Sequence, residues 1–467
     1  MASTFLEAAP LVAAPSPATA PARPLTVSVI GCGYLGAVHA AAMAEAGHRV
    51  IGLDVDAPRI AQLGSGRAPF HEPGLAEVLA SGLSREALSF TTDPAALADG
   101  DVHFLALGTP QRTDGPGADL SFLHAALDAL IPQLRRRAGR TTLVVGKSTV
   151  PVGTARELAA RLADLPGVHL VWNPEFLREG RAVADALRPD RLVYGIGEDP
   201  HSPAGQEAVA ALDAVYRPML EAGVPRRVMS YESAELVKVS ANSFLATKIS
   251  FINAVAALCE RTGADVADVA DAIGMDERIG PQFLRSGIGF GGGCLPKDLR
   301  ALLSRAEELG AGDSFGVLRE VDAINAGRRT RAVDLAREAL DGQLAGARVA
   351  VLGAAFKPDT DDVRDSPALE IARRLAAAGA RVRITDPAAL PAVRRLAPEL
   401  TTEPDPQHAL RDAELVLLLT EWPAYRALDP RRTARLVARP RIIDGRGVLD
   451  LPRWRSAGWE CRALGRP

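Results

Sequence analysis

Short apolar runs of strand length alternate with Ala- and Leu-rich amphipathic stretches along the first part of the chain. The first of these runs ends in Gly31. Strands that alternate with helices predict a mostly parallel sheet that helices cover on both faces. The predicted strands are residues 27–30, 49–54, 102–107, 142–146 and 170–172.

The pattern changes at about Tyr231. Residues 235–260 contain neither glycine nor proline, and their apolar positions recur at intervals of three and four. This spacing predicts one long helix with a broad apolar stripe, and further helical segments follow to about residue 330. The stripe consists of Val239, Leu245, Ile249, Ile252, Val255 and Leu258.

At Ala347 the alternation of strands and helices restarts. It predicts a helix over 367–378 that Gly379 ends and strands over 349–352, 382–386, 415–419 and 442–444. The chain of 467 residues is long enough for two or three domains. The predicted division is a flexible Ala- and Pro-rich tail (1–24), an α/β domain (25–230), a central helical domain (231–330) and a second α/β domain (331–467).

Composition and charge place the chain among ordinary globular proteins. Hydrophobic residues make up 47% of it and charged residues 24%, and the formal net charge is −3. This near-neutral balance gives no support to a nucleic-acid partner. Residues 1–24 lack a basic segment and are broken by prolines, so we do not expect a signal peptide. The longest apolar runs elsewhere, such as 415–419, are too short to cross a bilayer, and no membrane partner is predicted.

The cysteine pattern bears on location and metal content. The four cysteines lie far apart and form neither a metal-binding nor a disulfide spacing. We therefore expect reduced thiols in a cytoplasmic protein, and no metal site. The four are Cys32, Cys259, Cys294 and Cys461.

A glycine-rich turn follows the first predicted strand and opens a helix. Gly31 allows the tight turn, Gly33 lets backbone approach a pyrophosphate, and Gly36 lets helix and strand pack closely. Asp54 ends the second predicted strand 23 residues after Gly31, where an acid that binds the ribose is expected. The turn therefore predicts a dinucleotide site that prefers NAD to NADP, although a glycine turn of this kind also occurs in unrelated α/β proteins.

Polar groups also follow other strands. Residues 108–110 and 147–151 carry hydroxyls at strand ends, where doubly wound sheets bind ligands. Residues 173–180 hold two carboxylates four positions apart, Glu175 and Glu179, of which one could act as a general acid or base. From spacing alone, the two hydroxyl segments are equally compatible with ordinary turn and cap chemistry. Residues 173–180 are compatible with a solvated loop that carries charge pairs.

Two further segments carry chemistry. Lys238 and Asn242 are four positions apart on the long helix, and a cation and an amide on one face suit a developing oxyanion, or form an exposed polar stripe. Residues 287–298 form a glycine-rich loop that leads into Cys294 and then Pro296 at a helix start. The helix N-terminus should favour the Cys294 thiolate, and Asp298 lies one turn on. This pair suits covalent catalysis followed by hydrolysis.

With these motifs together, the chain resembles the UDP-glucose/GDP-mannose dehydrogenase family from about Leu25 to the C-terminus. Residues 273–280 are most similar to the bacterial members that act on UDP-glucose. The motifs that carry the resemblance are residues 31–36, 147–151, 173–180, 235–242, 289–298, 356–361 and 444–450.

The resemblance implies an α/β fold with two Rossmann-like doubly wound domains joined by a central helical domain with a long helix. The central domain would form the contact of a homodimer or a higher homo-oligomer. The implied reaction oxidises UDP-glucose with two NAD and water to UDP-glucuronate. Two rivals remain within the family, GDP-mannose or a UDP-hexosamine as substrate. Two alternatives come from other functional classes. One is a regulator that binds a sugar nucleotide without turnover, and the other is a two-electron hydroxyacid dehydrogenase.

The resemblance also assigns roles. Cys294 would be the nucleophile that forms a thiohemiacetal and then a thioester, Asp298 would activate the hydrolytic water, and Arg278 would reach the substrate of the neighbouring subunit. The other implied catalytic residues are Lys238, Asn242, Glu175 and Thr149. The implied NAD contacts are Gly31, Gly33, Tyr34, Leu35, Gly36, Asp54, Arg59, Thr109, Thr149, Glu179 and Arg364. The implied substrate contacts are Glu175, Phe176, Leu177, Lys238, Asn242, Arg278, Phe283, Gly291, Lys357 and Arg446.

The chain departs from the family pattern at two places. Gly293 and Leu295 flank the cysteine, where many UDP-glucose enzymes have Ser and Phe, and Leu-Pro-Lys-Asp also occurs in the GDP-mannose branch. Pro358 stands where other members often carry a second lysine. These departures bear on the sugar nucleotide and on one phosphate contact.

Overall fold

The structure is a computed structural model and describes residues 23–137 and 140–466. Of the predicted tail, 1–24, all but the last two residues lie outside the described ranges. The described strands are β1 (Thr26–Ile30), β2 (Arg49–Leu53), β3 (Leu88–Thr91), β4 (Val102–Leu105), β5 (Thr142–Gly146), β6 (Val168–Trp172), β7 (Leu192–Ile196), β8 (Arg226–Ser230), β9 (Arg348–Leu352), β10 (Arg381–Thr385), β11 (Thr401–Thr402), β12 (Leu415–Leu418), β13 (Arg441–Asp444) and β14 (Glu460–Ala463).

Helices connect and cover these strands. The described α-helices are α1 (Tyr34–Glu45), α2 (Ala57–Gly64), α3 (Leu75–Ser84), α4 (Ser121–Arg135), α5 (Thr154–Leu162), α6 (Ala182–Leu187), α7 (Pro203–Val215), α8 (Arg217–Glu221), α9 (Tyr231–Thr262), α10 (Val266–Gly274), α11 (Leu295–Glu308), α12 (Gly316–Ala339), α13 (Pro367–Ala377), α14 (Leu390–Leu396), α15 (Pro406–Leu410), α16 (Pro423–Arg426), α17 (Pro430–Ala434) and α18 (Leu451–Ser456). Two short 3-10 helices span Pro94–Asp99 and Gly312–Phe315.

The strands form two sheets of related order. The first runs β3-β2-β1-β4-β5-β6-β7-β8 and is parallel except between β6 and β7, and the second runs β11-β10-β9-β12-β13-β14 and is parallel throughout. In each sheet the order reverses beside the first strand, which opens a crevice at the carboxyl ends of the central strands. The predicted fold class, two Rossmann-like doubly wound domains and a central helical domain with a long helix, is confirmed.

The first sheet is buried on both faces, which explains why its strands read as continuous apolar runs. On β4, Phe104 packs into the core on one face and Leu105 into the core on the other. The predicted strand over 102–107 is therefore two residues too long, since β4 ends at Leu105 and the chain then turns into the crevice. The apolar pattern of the sequence does not reveal β3, β7, β8, β11 and β14, which are short or lie toward the sheet edges.

The long helix is α9, which Ser230 caps at its start and Gly263 ends in a left-handed conformation. Its predicted apolar stripe is only in part the buried face. Leu258 is exposed, whereas the buried positions include Asn242 and Ser250, because α11 and α12 pack closely against this side. Among the described helices, α9 alone has the length and apolar composition of a membrane span, and α11 and α12 pack against it.

Candidate active site

A cleft of about 250 Å³ opens at the carboxyl ends of β1, β4, β5 and β6 and reaches the first turn of α11. It collects residues that lie far apart in the sequence, as expected for the crevice of a doubly wound sheet. The predicted site residues that line it are Gly33, Tyr34, Leu35, Thr109, Thr149, Glu175, Leu177, Glu179, Cys294 and Arg364.

The glycine-rich turn has the geometry of a dinucleotide site. Gly31 has a φ of +90°, and a side chain at Gly36 would overlap the carbonyl oxygen of Gly31. A Cβ at Gly33, by contrast, would meet nothing within 4 Å. The space at the N-terminus of α1 is therefore open where a pyrophosphate needs close access to backbone N–H groups, and the turn fits NAD.

Asp54 lies one residue beyond β2, next to this turn. Its Oδ2 accepts hydrogen bonds from the backbone N–H of Cys32 (2.7 Å) and from Arg59 (3.0 Å), and its Oδ1 accepts one from the backbone N–H of Asp56 (3.0 Å). These bonds hold the carboxylate at the mouth of the turn. A negative charge there repels a 2′-phosphate, which agrees with a preference for NAD.

The three hydroxyls at the ends of β4 and β5 have different surroundings. Ser148 bonds across to the backbone of Leu107 and is fully buried, so it joins two strand ends rather than facing a ligand. Thr109 is also buried and donates to the carbonyl oxygen of Thr149 at 2.6 Å. Thr149 itself lies on the cleft wall.

Cys294 is the N-cap residue of α11, and Pro296 lies in the first turn, as predicted. Its carbonyl accepts the backbone N–H of Asp298 at 3.0 Å, and solvent reaches its side chain. The expected stabilisation of the Cys294 thiolate is wrong, because the pKa of this thiol is raised to about 12. Burial between the cleft walls raises it, the nearby carboxylates of Glu175 and Asp298 add to this, and Lys238 opposes them.

Two buried pairs lie beneath the cysteine. Lys238 forms an ion pair with Glu175 at 3.0 Å, and Asn242 donates to Oδ2 of Asp298 at 2.7 Å. Burial lowers the pKa of Lys238, but Glu175, Cys294 and Asp298 raise it further, so the net shift is upward and the ammonium is retained. Both α9 residues thus face the site rather than forming an exposed stripe.

Asp298 has a second partner that the sequence analysis did not assign. Lys297 donates to Oδ1 of Asp298 at 2.6 Å and also lines the cleft. The carboxylate is therefore held from both sides, because the amide of Asn242 occupies its other oxygen.

The segment 173–180 forms the opposite wall. Oε2 of Glu175 accepts the backbone N–H of Leu177 at 2.5 Å, which fixes the carboxylate in a tight turn. The guanidinium of Arg191 stacks on the ring of Phe176, 3.7 Å from its centre. These contacts orient Glu175 toward Lys238.

Glu179 connects the first α/β unit with the second. It lies 3.4 Å from Arg364 and accepts a hydrogen bond from Thr360 at 3.3 Å. Burial and the neighbouring carboxylate of Asp362 raise the pKa of Glu179 to about 7, against the opposing charges of Arg364 and Lys357. A carboxyl group that titrates near neutrality therefore lies between the two units.

The predicted contacts of the second α/β unit hold the cysteine loop. Arg446 donates to the carbonyl oxygens of Leu419 (2.7 Å), Gly289 (3.2 Å) and Phe356 (2.8 Å). A side chain at Gly291 would overlap the carbonyl oxygen of Asp365, so this glycine permits the loop to lie against the second unit.

The remaining predicted substrate residues, Lys357, Phe283 and Arg278, do not line the cleft. Lys357 is half-buried next to Phe356, and burial lowers its pKa. Phe283 is 41% exposed and has a φ of +63°. The side chain of Arg278 is 88% exposed and pairs with Asp276.

Glu72 is a site-building residue that the sequence analysis missed. It is buried and accepts hydrogen bonds from the hydroxyl of Tyr34 and from the backbone N–H groups of Gly180 (2.6 Å) and Ala182 (2.7 Å). It thereby joins the glycine-turn helix to the loop that carries Glu179. Its only local signal is a position before Pro73 and Gly74, which does not distinguish a buried carboxylate from a surface one. Within the described ranges, no cluster of three or more His, Cys, Asp or Glu side chains could hold a metal ion.

Comparison with known families and proteins covers nearly the whole chain. Three models of the UDP-glucose/GDP-mannose dehydrogenase family match it: the NAD binding domain at residues 25–220, the central domain at 232–327 and the UDP binding domain at 350–451. A UDP-glucose 6-dehydrogenase of Rhizobium meliloti is 39% identical over 95% of this chain and 100% of that protein. One of Pseudomonas aeruginosa is 40% identical over 95% of this chain and 98% of that protein.

Solved structures show the same similarity. A UDP-glucose dehydrogenase of Pyrobaculum islandicum has a TM-score of 0.87 and 40% identity, and the match covers 97% of this chain and 100% of that one. A UDP-D-ManNAc dehydrogenase of Pyrococcus horikoshii has a TM-score of 0.81 and 27% identity, with coverage of 95% and 99%.

Proposed function

The chain belongs to the UDP-glucose/GDP-mannose dehydrogenase family, and we propose on that premise that it oxidises the C6 alcohol of UDP-glucose to the carboxylate of UDP-glucuronate, with NAD as oxidant. The observation that carries the proposal is the meeting of Cys294 with the Lys238–Glu175 and Asn242–Asp298 pairs in a cleft that begins at the glycine-rich turn. A protein that only binds a sugar nucleotide needs no thiol at this position.

The chain's own groups supply the remaining chemistry. The glycine-rich turn and Asp54 would hold NAD, which would supply the hydride acceptor for two successive oxidations at C6. After the first, the Cys294 sulfur adds to the aldehyde carbon, and its thiol proton passes by way of Glu175 to the carbonyl oxygen, which gives a thiohemiacetal. Loss of a second hydride and a proton leaves a thioester, and water then opens it to release the carboxylate and restore the thiol.

The buried pairs suit those steps. Lys238 and Asn242 carry donors that can stabilise the oxyanion in both the addition and the hydrolysis, without reorganisation of the site. Asp298 lies one helical turn from Cys294 and activates the hydrolytic water, and Thr149 positions water or the C6 hydroxyl from the cleft wall.

The remaining site residues bind the two ligands. Arg59 and Asp54 contact the adenosine of NAD, and the other NAD contacts are Tyr34, Leu35, Thr109, Glu179 and Arg364. The nucleotide end of the substrate lies against the second α/β unit, where Phe283, Gly291, Lys357 and Arg446 surround it. The division of the chain at residues 25–230, 231–330 and 331–467 remains part of this proposal.

A second copy of the chain completes the site. Phe244, Phe251 and Leu258 recur every seven residues on α9 and are 66%, 55% and 63% exposed. Such an apolar stripe on a core helix is typical of a surface that a partner covers. A homodimer built on α9 buries it and brings Arg278, whose side chain points into solvent, toward the substrate of its neighbour.

We assign the protein to the cytoplasm.

The substrate is tested by measuring NADH release with UDP-glucose, GDP-mannose, UDP-N-acetylglucosamine and UDP-N-acetylmannosamine. We expect UDP-glucose to give the highest kcat/KM and two NADH per molecule consumed, with no free aldehyde. A clear preference for another sugar nucleotide would reassign the substrate and keep the chemistry, whereas one NADH per substrate would exclude the four-electron mechanism.

The nucleophile is tested by substitution. Cys294→Ser should lower turnover at least about 10³-fold, since a serine hydroxyl is not ionised near neutral pH, while UDP-glucose binding changes little. The matched variants Cys259→Ala and Cys461→Ala, both at buried cysteines, should keep most of the activity. Asp298→Asn should stop at hydrolysis, where mass spectrometry detects a thioester on Cys294. Near-normal uronate formation by Cys294→Ala would refute covalent catalysis by this residue.

A further inference from the structure

The loop before the nucleophile has almost no side chains with which to hold itself. Residues 291–293, between Phe290 and Cys294, are all glycine. The backbone on the N-terminal side is held instead by side chains of the two long helices. Asn253 on α9 accepts the N–H of Gly287 at 2.9 Å, and Arg328 on α12 donates to its carbonyl oxygen at 3.1 Å. The conformation of the loop is thus imposed from outside.

Asn325 on α12 makes the two shortest of these connections at Phe290, whose carbonyl oxygen Arg329 also reaches at 3.4 Å. Its Oδ1 accepts the backbone N–H of Phe290 at 2.7 Å, and its Nδ2 donates to the carbonyl oxygen of the same residue at 3.0 Å. Both halves of one amide therefore pair with one residue, in the manner of a neighbouring strand. Asn325 is only 2% exposed, and a Cβ at Gly289 would overlap its Oδ1, so the loop is fitted to this side chain.

The Phe290 ring is anchored as firmly as its backbone. It is buried in a small core with Val239, Leu299 and Val321. Val239 follows Lys238 on α9, and Leu299 follows Asp298 on α11. The Phe290 ring therefore holds the loop against the same two helices that carry the groups beneath the cysteine. The three glycines that follow have no side chains to anchor them, and the N–H of Gly292 bonds to the carbonyl oxygen of Arg364 at 2.9 Å. The position of Cys294 therefore depends on this backbone bond and on the anchoring of Phe290.

We propose that Asn325 is a positioning residue that fixes the Cys294 sulfur for capture of the aldehyde formed in the first oxidation. The inference rests on the proposed role of Cys294 as nucleophile. Loss of the Asn325–Phe290 pairing lets the glycine segment shift, and a shift of about 1 Å in a reacting group costs roughly 10²-fold in rate. The first oxidation does not use the sulfur, so the aldehyde then has time to leave.

The test compares Asn325→Ala and Asn325→Asp with the control variant Ser250→Ala. Asn325→Asp keeps the volume and the acceptor for the Phe290 N–H and loses the donor, which serves if the alanine variant does not fold. Ser250 is fully buried on α9 and donates to the carbonyl oxygen of Val321 on α12 at 2.8 Å. Its replacement therefore removes a buried hydrogen bond between the same two helices without touching the loop.

For the Asn325 variants we expect kcat for uronate formation to fall about 10²-fold, with KM for UDP-glucose within about threefold of the wild type. The NADH yield should fall from two toward one per substrate, and an added hydrazine should trap the aldehyde. Ser250→Ala should lose thermal stability and still give two NADH. Two NADH and normal kcat in both Asn325 variants would overturn the proposal, as would an equal loss in Ser250→Ala.

A second measurement does not depend on turnover. Iodoacetamide should alkylate Cys294, the solvent-reached cysteine, and peptide mass spectrometry across pH 7–10.5 gives the rate at each pH. We expect the alkylation rate of Cys294 at a given pH to change at least threefold in the Asn325 variants but not in Ser250→Ala. NAD titration measures the folded fraction of each variant, so that equal amounts of folded protein are compared. An unchanged profile would refute positioning by Asn325. Uronate formation by Cys294→Ala would instead refute the proposed nucleophile, so the two failures are distinguishable.

Discussion

The two parallel sheets share the order of their central strands and differ at the first turn. In each, a glycine with a left-handed φ follows the first strand, and its N–H bonds to the end of the second: Gly31 to Leu53 and Gly353 to Thr385. An aspartate stands next to that second strand end in both, Asp54 in one and Asp386 in the other. The backbone plan of a dinucleotide site is therefore present twice.

The second copy of that plan is filled by the protein itself. The carboxylate of Asp386 accepts the backbone N–H groups of Ala354, Ala355, Ala388 and Ala389 and the indole N–H of Trp422. It has no capacity left for a ribose. In the first sheet, the turn at Gly33 is open, and Asp54 accepts three hydrogen bonds rather than five, with one of them on Oδ1. The same topology thus serves a ligand in one unit and a closed core in the other, because side chains at the turn decide its use.

The largest effect should come from closing the open turn. Gly33→Val places a side chain where a Cβ meets no atom within 4 Å, and the backbone there is extended (φ −67°, ψ −162°), so the fold should tolerate it. The valine side chain occupies the space that the pyrophosphate of NAD needs. We therefore expect KM for NAD to rise at least about 10²-fold, the scale on which a misplaced ligand loses rate. Steady-state kinetics measure KM for NAD, and thermal unfolding measures the stability of the fold.

The matched change in the second unit should invert this result. Gly353 has a φ of +106°, and a Cβ there would overlap the side chain of Thr420. Gly353→Ala should therefore lower the free energy of unfolding by about 2–4 kcal/mol, with KM for NAD unchanged in the folded fraction. An NAD defect without instability in Gly353→Ala would contradict the assignment of the two turns.

An intermediate effect is expected at the two aspartates. Asp54→Asn removes the charge that repels a 2′-phosphate and weakens the ribose contact, so the ratio of kcat/KM for NAD over NADP should fall about 10–10²-fold, as for the loss of a charged hydrogen bond. Asp386→Asn should leave that ratio unchanged and lower the melting temperature. Equal cofactor ratios in the wild type and Asp54→Asn would refute the role of Asp54.

The smallest effect concerns Glu179, which connects the two units. Its pKa is raised to about 7 from an ordinary value of 4.5, so the folded protein holds a proton that the unfolded chain releases between these values. The resulting stabilisation is complete below pH 4.5 and is lost as the pH rises through 7. Glu179→Gln should therefore be more stable than the wild type at pH 8 by about 1 kcal/mol, after allowance for Arg364 and for solvent.

Denaturant unfolding at pH 5 and pH 8 measures this difference. Glu77→Gln, at an exposed position of α3, is the control and should show no pH-dependent difference from the wild type. If the stability of Glu179→Gln relative to the wild type falls as the pH rises, the sign of the Glu179 shift is wrong.

The alternation of apolar runs predicts both sheets and the long helix because buried parallel strands are apolar throughout, a property that local sequence records. The Gly31 turn and Asp54 were recognisable for a similar reason, since their spacing is fixed by one strand–turn–helix unit. Asp386 ends a predicted strand too, but its five donors come from three separate segments, so its closed surroundings were not visible in the sequence. The raised pKa of Cys294 was not predictable from the sequence for the same reason, because it depends on carboxylates that only the tertiary fold brings near.

The outward direction of Arg278 has a consequence for mixtures of variants. If each site borrows this side chain from its neighbour, Arg278→Ala and Cys294→Ala fail for reasons located in different subunits. A dimer containing one chain of each kind has one site with both defects and one site with neither. Random reassociation of the two inactive proteins should then restore about a quarter of wild-type activity, since about half of the dimers are mixed and each has one intact site. Genetic complementation between two null alleles would follow from the position of one arginine.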